Sequence, residues 1–362
     1  MKAIVVTPGQ KQSVRMQTVP DPPLPDDQVA VKVLRVGLCG TDAEIADGLY
    51  GQAPDGDPYL ILGHENLGIV EKVGSKVSGL APGTVVVATV RRPCGRCYNC
   101  AHGENDMCTS GLYEERGIKR RHGYMAEFYV ESPGFLHVVP AGLTDVAVLL
   151  EPLSIVEKGI DHSYLLQRRF SWQPKTAVVF GAGPVGLLAT AVLRTRGLTT
   201  YVVSREPESD ERVQVAKAMG AGYVSVADRT FADVQKMLDP IDLAIEATGV
   251  SSVAFGAMQM LGPDAVLCLL SVTGGIHEAE EPIDRINQLL VLGNRVVFGS
   301  VNANPRHFDM GIADLVSIER QWPGVLGRLI TTRLPWTEYG RWFGAARSGI
   351  KTTLEIATAR QA

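Results

Sequence analysis

The sequence predicts an α/β protein of two domains, a β-rich, barrel-like half followed by a half built on a parallel sheet. Three observations carry this expectation. The chain has 362 residues, more than the ~250 to 300 at which a single hydrophobic core stops growing. From residue 1 to about 155, short apolar runs alternate with turn residues, as in a barrel-like all-β domain. After Glu151-Pro152 apolar strands alternate instead with helix-length segments, the pattern of a parallel sheet built from strand-helix-strand units.

The opening residues Met1 to Pro8 carry one basic side chain and an apolar run too short for a secretion signal, so they read as a first strand. Further strands of the β-rich half are expected at Val29 to Val36, Leu67 to Val73, Thr84 to Val90, Ala126 to Val130 and Leu136 to Val139. The second half places strands at Ala177 to Phe180, Tyr201 to Val203, Leu243 to Ile245, Ala265 to Leu270 and Val296 to Phe298. Beyond about Asn302, Asp309 to Ile318 and Trp336 to Arg347 read as helices that return to the first domain. The longest uncharged stretch, Thr176 to Leu193, is broken by Gly181-Ala182-Gly183-Pro184, so a strand, turn and helix explain it better than a membrane span.

With 35 basic and 39 acidic side chains, the formal net charge of −4 offers no electrostatic footprint for nucleic acid or an anionic membrane. A small molecule is the expected partner. Six cysteines are too few for a disulfide framework, and four of them crowd between Cys94 and Cys108, which points to metal in a reducing cytoplasm.

Cys94, Cys97 and Cys100, with Cys108 eight residues on, have the spacing that lets a folded loop bring four thiolates onto one tetrahedral ion. Structural zinc is the reading, with an iron–sulfur cluster as its rival, although nothing else in the chain suggests electron transfer. Arg96, Arg91 and Arg92 are expected to offset the thiolate charge. Gly181-Ala182-Gly183-Pro184-Val185-Gly186 stands directly between an expected strand and helix, the context in which a dinucleotide pyrophosphate meets a helix N-terminus. The next strand ends in Ser204-Arg205, where an NAD-selective site usually offers an acid. A hydroxyl and a guanidinium suit a 2′-phosphate, so NADP is favoured, while the adjacent Glu206 keeps NAD open. Cys39 to Asp42, Gly63 to Gly68 and Glu151-Pro152 together supply a thiol, an imidazole and carboxylates, the ligand types of a catalytic zinc with an open position. Cys268, inside the run Val266 to Leu270, reads as a small buried hydrophobe.

Across essentially the whole chain, the order of these motifs resembles the zinc-dependent medium-chain dehydrogenases/reductases, and within them the glucose dehydrogenase subgroup. The subgroup resemblance rests on Gly37 to Ile45, Gly111 to Gly117, Glu151 to Lys158 and Gly299 to Asn302. It implies a GroES-like catalytic domain over 1–158 and 303–362 and a Rossmann domain over 159–302, with zinc and nicotinamide meeting between them. It also implies a cytoplasmic homo-oligomer, dimeric or tetrameric. Carried over by position, Cys39 and His64 are catalytic-zinc ligands, with Glu65 and Glu151 as carboxylates bound to the metal or to substrate. Thr41 takes the substrate proton; five residues after the zinc cysteine, where many relatives carry a histidine, this chain has Glu44. Glu115, Asn302 and Thr89 are implied sugar contacts. Gly181, Gly183, Pro184, Val185, Gly186, Ser204, Arg205, Thr248 and Asn302 are the expected cofactor contacts. Ile155 and Leu292 stand where one branch has an aspartate and a histidine near the sugar. The expected reaction is the oxidation of D-glucose or another aldose at its anomeric carbon; a sorbitol-type polyol or other alcohol is the alternative substrate.

Overall fold

A computed structural model describes residues 1–273, 280–344 and 348–357. The chain divides into two compact units, the first comprising Met1–Glu151, Asn302–Leu315 and Ile330–Ala362, the second Pro152–Val301 and Val316–Leu329.

The first unit is built on a seven-stranded sheet. Its hydrogen-bonded path runs through Leu136–Val138, Val85–Ala88, Glu65–Val73, Val29–Gly37, Lys351–Glu355 and Ile330–Pro335, and Phe128–Glu131 also pairs with Val29–Gly37. Pairing is antiparallel except between the last two strands of the path. Val31, Val33 and Val36 of the central strand pack with Ile4, Val6, Leu62 and Met125, all of them buried. Val29–Gly37, Glu65–Val73, Val85–Ala88, Phe128–Glu131 and Leu136–Val138 lie where alternation and β-branched content place strands.

The C-terminal region departs from the all-helical expectation. A helix does span Pro305–Gln321, but Ile330–Pro335 and Lys351–Glu355 are strands, and Trp336–Glu338 and Gly340–Phe343 are single short turns of helix. Residues 345–347 of the expected helix lie outside the described residues.

The second unit holds a six-stranded, wholly parallel sheet: Gly222–Ser225, Thr199–Ser204, Thr176–Phe180, Ile241–Glu246, Leu261–Leu269 and Val296–Gly299. Numbered by sequence within the unit, this order is 3-2-1-4-5-6, the doubly wound dinucleotide-binding arrangement. The central strand Thr176–Phe180 is buried at every position, as helices on both faces require. Strand order reverses beside it, and ligands bind such sheets at the carboxyl ends flanking that reversal. Among the described residues no helix is long and apolar enough to cross a membrane.

Candidate active site

In the first unit Cys39, His64 and Glu65 come together: their ligand atoms all lie within 4.8 Å of one another. Cys39 caps the helix Gly40–Ala46, and Asp42 Oδ2 accepts from the Cys39 backbone N–H at 2.9 Å. The other Asp42 oxygen lies 3.5 Å from His64 Nδ1, too far for a good hydrogen bond but close enough for attraction. Burial alone would lower the His64 pKa, but the Asp42 carboxylate and Cys39 outweigh it and hold the imidazole well above its ordinary value. An acid on Nδ1 leaves Nε2 for a metal, the usual arrangement behind a ligating histidine.

Glu65 opens the strand Glu65–Val73 and is buried. Lys351 Nζ, also buried, donates to its Oε1 at 2.5 Å, while Oε2 is buried with no hydrogen-bond partner. Gly37 stands directly across the sheet, and a Cβ there would sit 2.0 Å from Oε2. The missing side chain is what lets the carboxylate lie where it does. An orphaned buried carboxylate oxygen beside a thiol and an imidazole is costly unless something positive meets it, so this donor set fits a divalent ion.

Glu151 lies outside the group of three mutually close donors. Burial pushes its carboxyl up to about 7, with His64 opposing and Glu65 reinforcing the shift. Thr41 is half-buried in the first turn of the Gly40–Ala46 helix, and Glu44 is exposed on it.

A second cluster of the same unit joins Glu115 and Asn302. Arg91 Nε and Nη2 donate to Glu115 Oε1 at 3.1 and 2.8 Å, and Asn302 Nδ2 donates to the same oxygen at 2.6 Å. All three donors converge on one oxygen, so Oε2 has its lone pairs left over. Thr89 is less open than its candidacy implies: Arg92 Nη1 donates to its hydroxyl at 2.9 Å.

Cys94, Cys97, Cys100 and Cys108 also place their sulfurs within 4.8 Å of one another. The Ser110 hydroxyl and backbone N–H groups pull the Cys94 thiol down to about 7, and the Cys100 and Thr109 N–H groups pull Cys97 down to about 5, whereas burial pushes Cys100 up to about 12, a thiol that only a bound cation would hold as thiolate. The charge-offset role expected for Arg91 and Arg92 is not met, because they turn to Glu115 and Glu131. Arg96 is exposed.

In the second unit a cavity of about 290 Å³ opens at the carboxyl ends of the central strands, lined among others by Gly181, Gly183, Ser204, Arg205, Glu206 and Thr248. Gly183 caps the helix Pro184–Thr195, which begins with Pro184 and half-buried Val185. Gly186 packs so tightly that a Cβ would lie 2.0 Å from the Gly181 carbonyl oxygen. Thr248 is fixed by buried Glu246, whose Oε1 accepts from the Thr248 N–H at 2.6 Å and from its hydroxyl at 2.5 Å. The Tyr223 hydroxyl lies 3.1 Å from Ser204 Oγ.

Sequence reasoning assigned no role to Asp42 or Lys351. Asp42 was detectable as an acid three residues into a helix headed by a candidate ligand. Lys351 carried no signal, since only the sheet brings it to Glu65.

Residues 25–141 match the model of the alcohol dehydrogenase GroES-like domain, and residues 144–356 that of the glucose dehydrogenase C-terminus. The chain is 43% identical to glucose 1-dehydrogenase of Methanocella arvoryzae over 98% of its own length and 99% of that protein's. It is 41% identical to glucose 1-dehydrogenase 1 of Caldivirga maquilingensis, covering 98% and 99%. A solved structure of Haloferax mediterranei glucose dehydrogenase in complex with NADP, Zn and gluconolactone superposes with a TM-score of 0.90 at 33% identity, covering 99% of this chain and all of that one. The chain belongs to the glucose dehydrogenase family of zinc-dependent medium-chain dehydrogenases.

Proposed function

We propose that this chain oxidises D-glucose, and other aldoses less well, at the anomeric carbon to the aldonolactone, with NADP preferred over NAD as acceptor. The observation that carries this reading is that one unit holds both a metal-type donor set, Cys39, His64 and Glu65, and a polar pair, Glu115 and Asn302, suited to sugar hydroxyls.

Oxidation removes a hydride from the anomeric carbon and a proton from its hydroxyl, leaving the lactone carbonyl. Cys39, His64 and Glu65 would hold a zinc ion, which would supply Lewis acidity at the hydroxyl oxygen, and the cavity of the second unit would hold the nicotinamide cofactor, which would supply the hydride acceptor. Lys351 holds Glu65 by one oxygen and so orients the other. Glu151, kept partly protonated near neutral pH by its burial, would be the further carboxyl available to substrate or metal. The Thr41 hydroxyl would relay that proton, accepting it from the substrate hydroxyl as it passes its own onward. Glu44 follows three residues along the same helix, a spacing that puts both side chains on one face, and it releases that proton to solvent. Glu115 Oε2 accepts from sugar hydroxyls, and Asn302 keeps the carboxylate in place. A site built on such hydrogen bonds rejects alcohols that lack them.

The test is the initial rate of NADP reduction with D-glucose, galactose, xylose, sorbitol and ethanol, each before and after a zinc chelator. Glucose is expected to be fastest, with the rate abolished by the chelator. A preference for sorbitol or ethanol would move the substrate to an open-chain alcohol, and a rate indifferent to the chelator would remove the metal from the reaction.

A further inference from the structure

The cavity rim of the second unit carries an electrostatic arrangement that the glycine motif does not explain. The segment from Arg205 to Lys217 holds four acidic side chains, Glu206, Glu208, Asp210 and Glu211. Each is paired within the unit: Glu206 and Asp210 with Arg212, Glu208 with Lys217, and Glu211 with Arg328. Arg205 lines the cavity, is exposed and makes no hydrogen bond or ion pair among the described residues. Arg205 is therefore the cation of this rim that no carboxylate holds, although the segment is acid-rich.

Arg212 makes this possible. Its Nη1 donates to Glu206 Oε1 at 2.7 Å, while Nε and Nη2 donate to the two Asp210 oxygens, both at 2.9 Å. The fork thus holds two carboxylates at once, one of which, Glu206, lines the same cavity as Arg205. Glu206 stands where a free acid would accept from the ribose hydroxyls of NAD and repel the 2′-phosphate of NADP. We propose that Arg212 is a positioning residue for cofactor choice: by holding the Glu206 carboxylate it keeps that acid from Arg205 and from the ligand, so the unpaired Arg205 guanidinium is offered to a 2′-phosphate. This rests on the NADP-preferring reading given above.

Removing Arg212 spares the backbone. Asp210 still caps the helix Glu211–Ala218 by accepting from the Arg212 N–H, which any residue at that position supplies. The test is direct binding of NADP and of NAD to the holoenzyme, measured calorimetrically for the native protein, Arg212→Ala, Arg212→Lys, and Arg212→Ala combined with Glu206→Gln. Arg212→Ala is expected to weaken NADP about tenfold, the scale of one charge-assisted contact, while NAD changes less than about twofold or tightens. Glu206→Gln in that background is expected to recover most of the NADP affinity, and Arg212→Lys to fall between. Equal weakening of both nucleotides, or a double variant no better than the single one, overturns the proposal. Because binding is read without turnover, native protein that binds NADP but leaves glucose unchanged would defeat the glucose reading while leaving this test intact. Native protein that binds NAD more tightly would defeat the NADP preference, and the shift in the NADP-to-NAD ratio on Arg212→Ala would still decide the role of Arg212.

Discussion

Cys39 is where a single atom matters most. It caps a short helix and contributes one of three donors crowded within 4.8 Å. Cys39→Ser keeps the cap, because a hydroxyl caps as well as a thiol, but replaces a soft anionic ligand with a neutral hard one. We expect kcat/KM with glucose to fall at least about a thousandfold, or ~4 kcal/mol of transition-state stabilisation, while NADP affinity measured by calorimetry stays within about twofold. An active Cys39→Ser enzyme would end the catalytic role of this donor set. The three donors were legible in the sequence because a thiol, an imidazole and carboxylates are the ligand types of a catalytic zinc. What surrounds them was less so: Asp42 Oδ1 contacts His64 and Lys351 contacts Glu65 through the fold, and neither pairing has a local spacing that announces it.

Strands of the two sheets were legible where burial follows apolar alternation, and illegible where polar residues are buried. Lys351–Glu355 shows this plainly. Lys351, Thr352 and Thr353 are buried, and of its five residues Leu354 alone is apolar, so a period-2 search finds no core face. The strand exists because Val29–Gly37 offers it a hydrogen-bonding edge, and its Lys351 is buried against a carboxylate rather than against a hydrophobic layer. Phe128–Glu131 illustrates the same economy at its end. Glu131 is buried among Arg92, Arg116 and Arg121. Burial alone would raise its carboxyl, but Arg116 and Arg92 overcome that and hold it at about 2. A folded-state pKa below the unfolded value contributes stability that is present above about pH 4.5 and lost as the pH falls toward 2. The full shift corresponds to about 3 kcal/mol. Urea unfolding of the native protein should therefore show stability falling across that window. Glu131→Gln should be less stable at pH 7 by a few kcal/mol, since it strands buried guanidinium charge, with a flatter acid limb. A variant with an unchanged acid limb would show that other carboxylates set it.

At the scale of the whole molecule, two compact units each with its own sheet divide the ligand chemistry between them, and that division can be measured. Both cysteine-containing clusters belong to the first unit, whereas every residue lining the nucleotide cavity belongs to the second. Elemental analysis should therefore find two zinc ions per chain. Cys39→Ser should lose one, and Cys97→Ser should lose the other. The two losses should have opposite characters. A metal at the four-cysteine loop would hold a segment with almost no regular structure, only the helical turns Tyr98–Ala101 and Asn105–Met107, so its binding energy would be largely folding energy. Cys97→Ser should thus lower the thermal unfolding midpoint by at least about 5 °C before any change in chemistry, whereas Cys39→Ser should abolish turnover with little change in the midpoint. NADP at about 100 times its Kd adds ~2.7 kcal/mol to whatever binds it in the folded state. Both variants should keep that nucleotide-dependent rise, because neither alters the cavity. A Cys97→Ser protein with two metals and a native midpoint would refute the structural role of the four cysteines, and loss of the nucleotide-dependent rise in either variant would show that the two units do not bind their ligands independently.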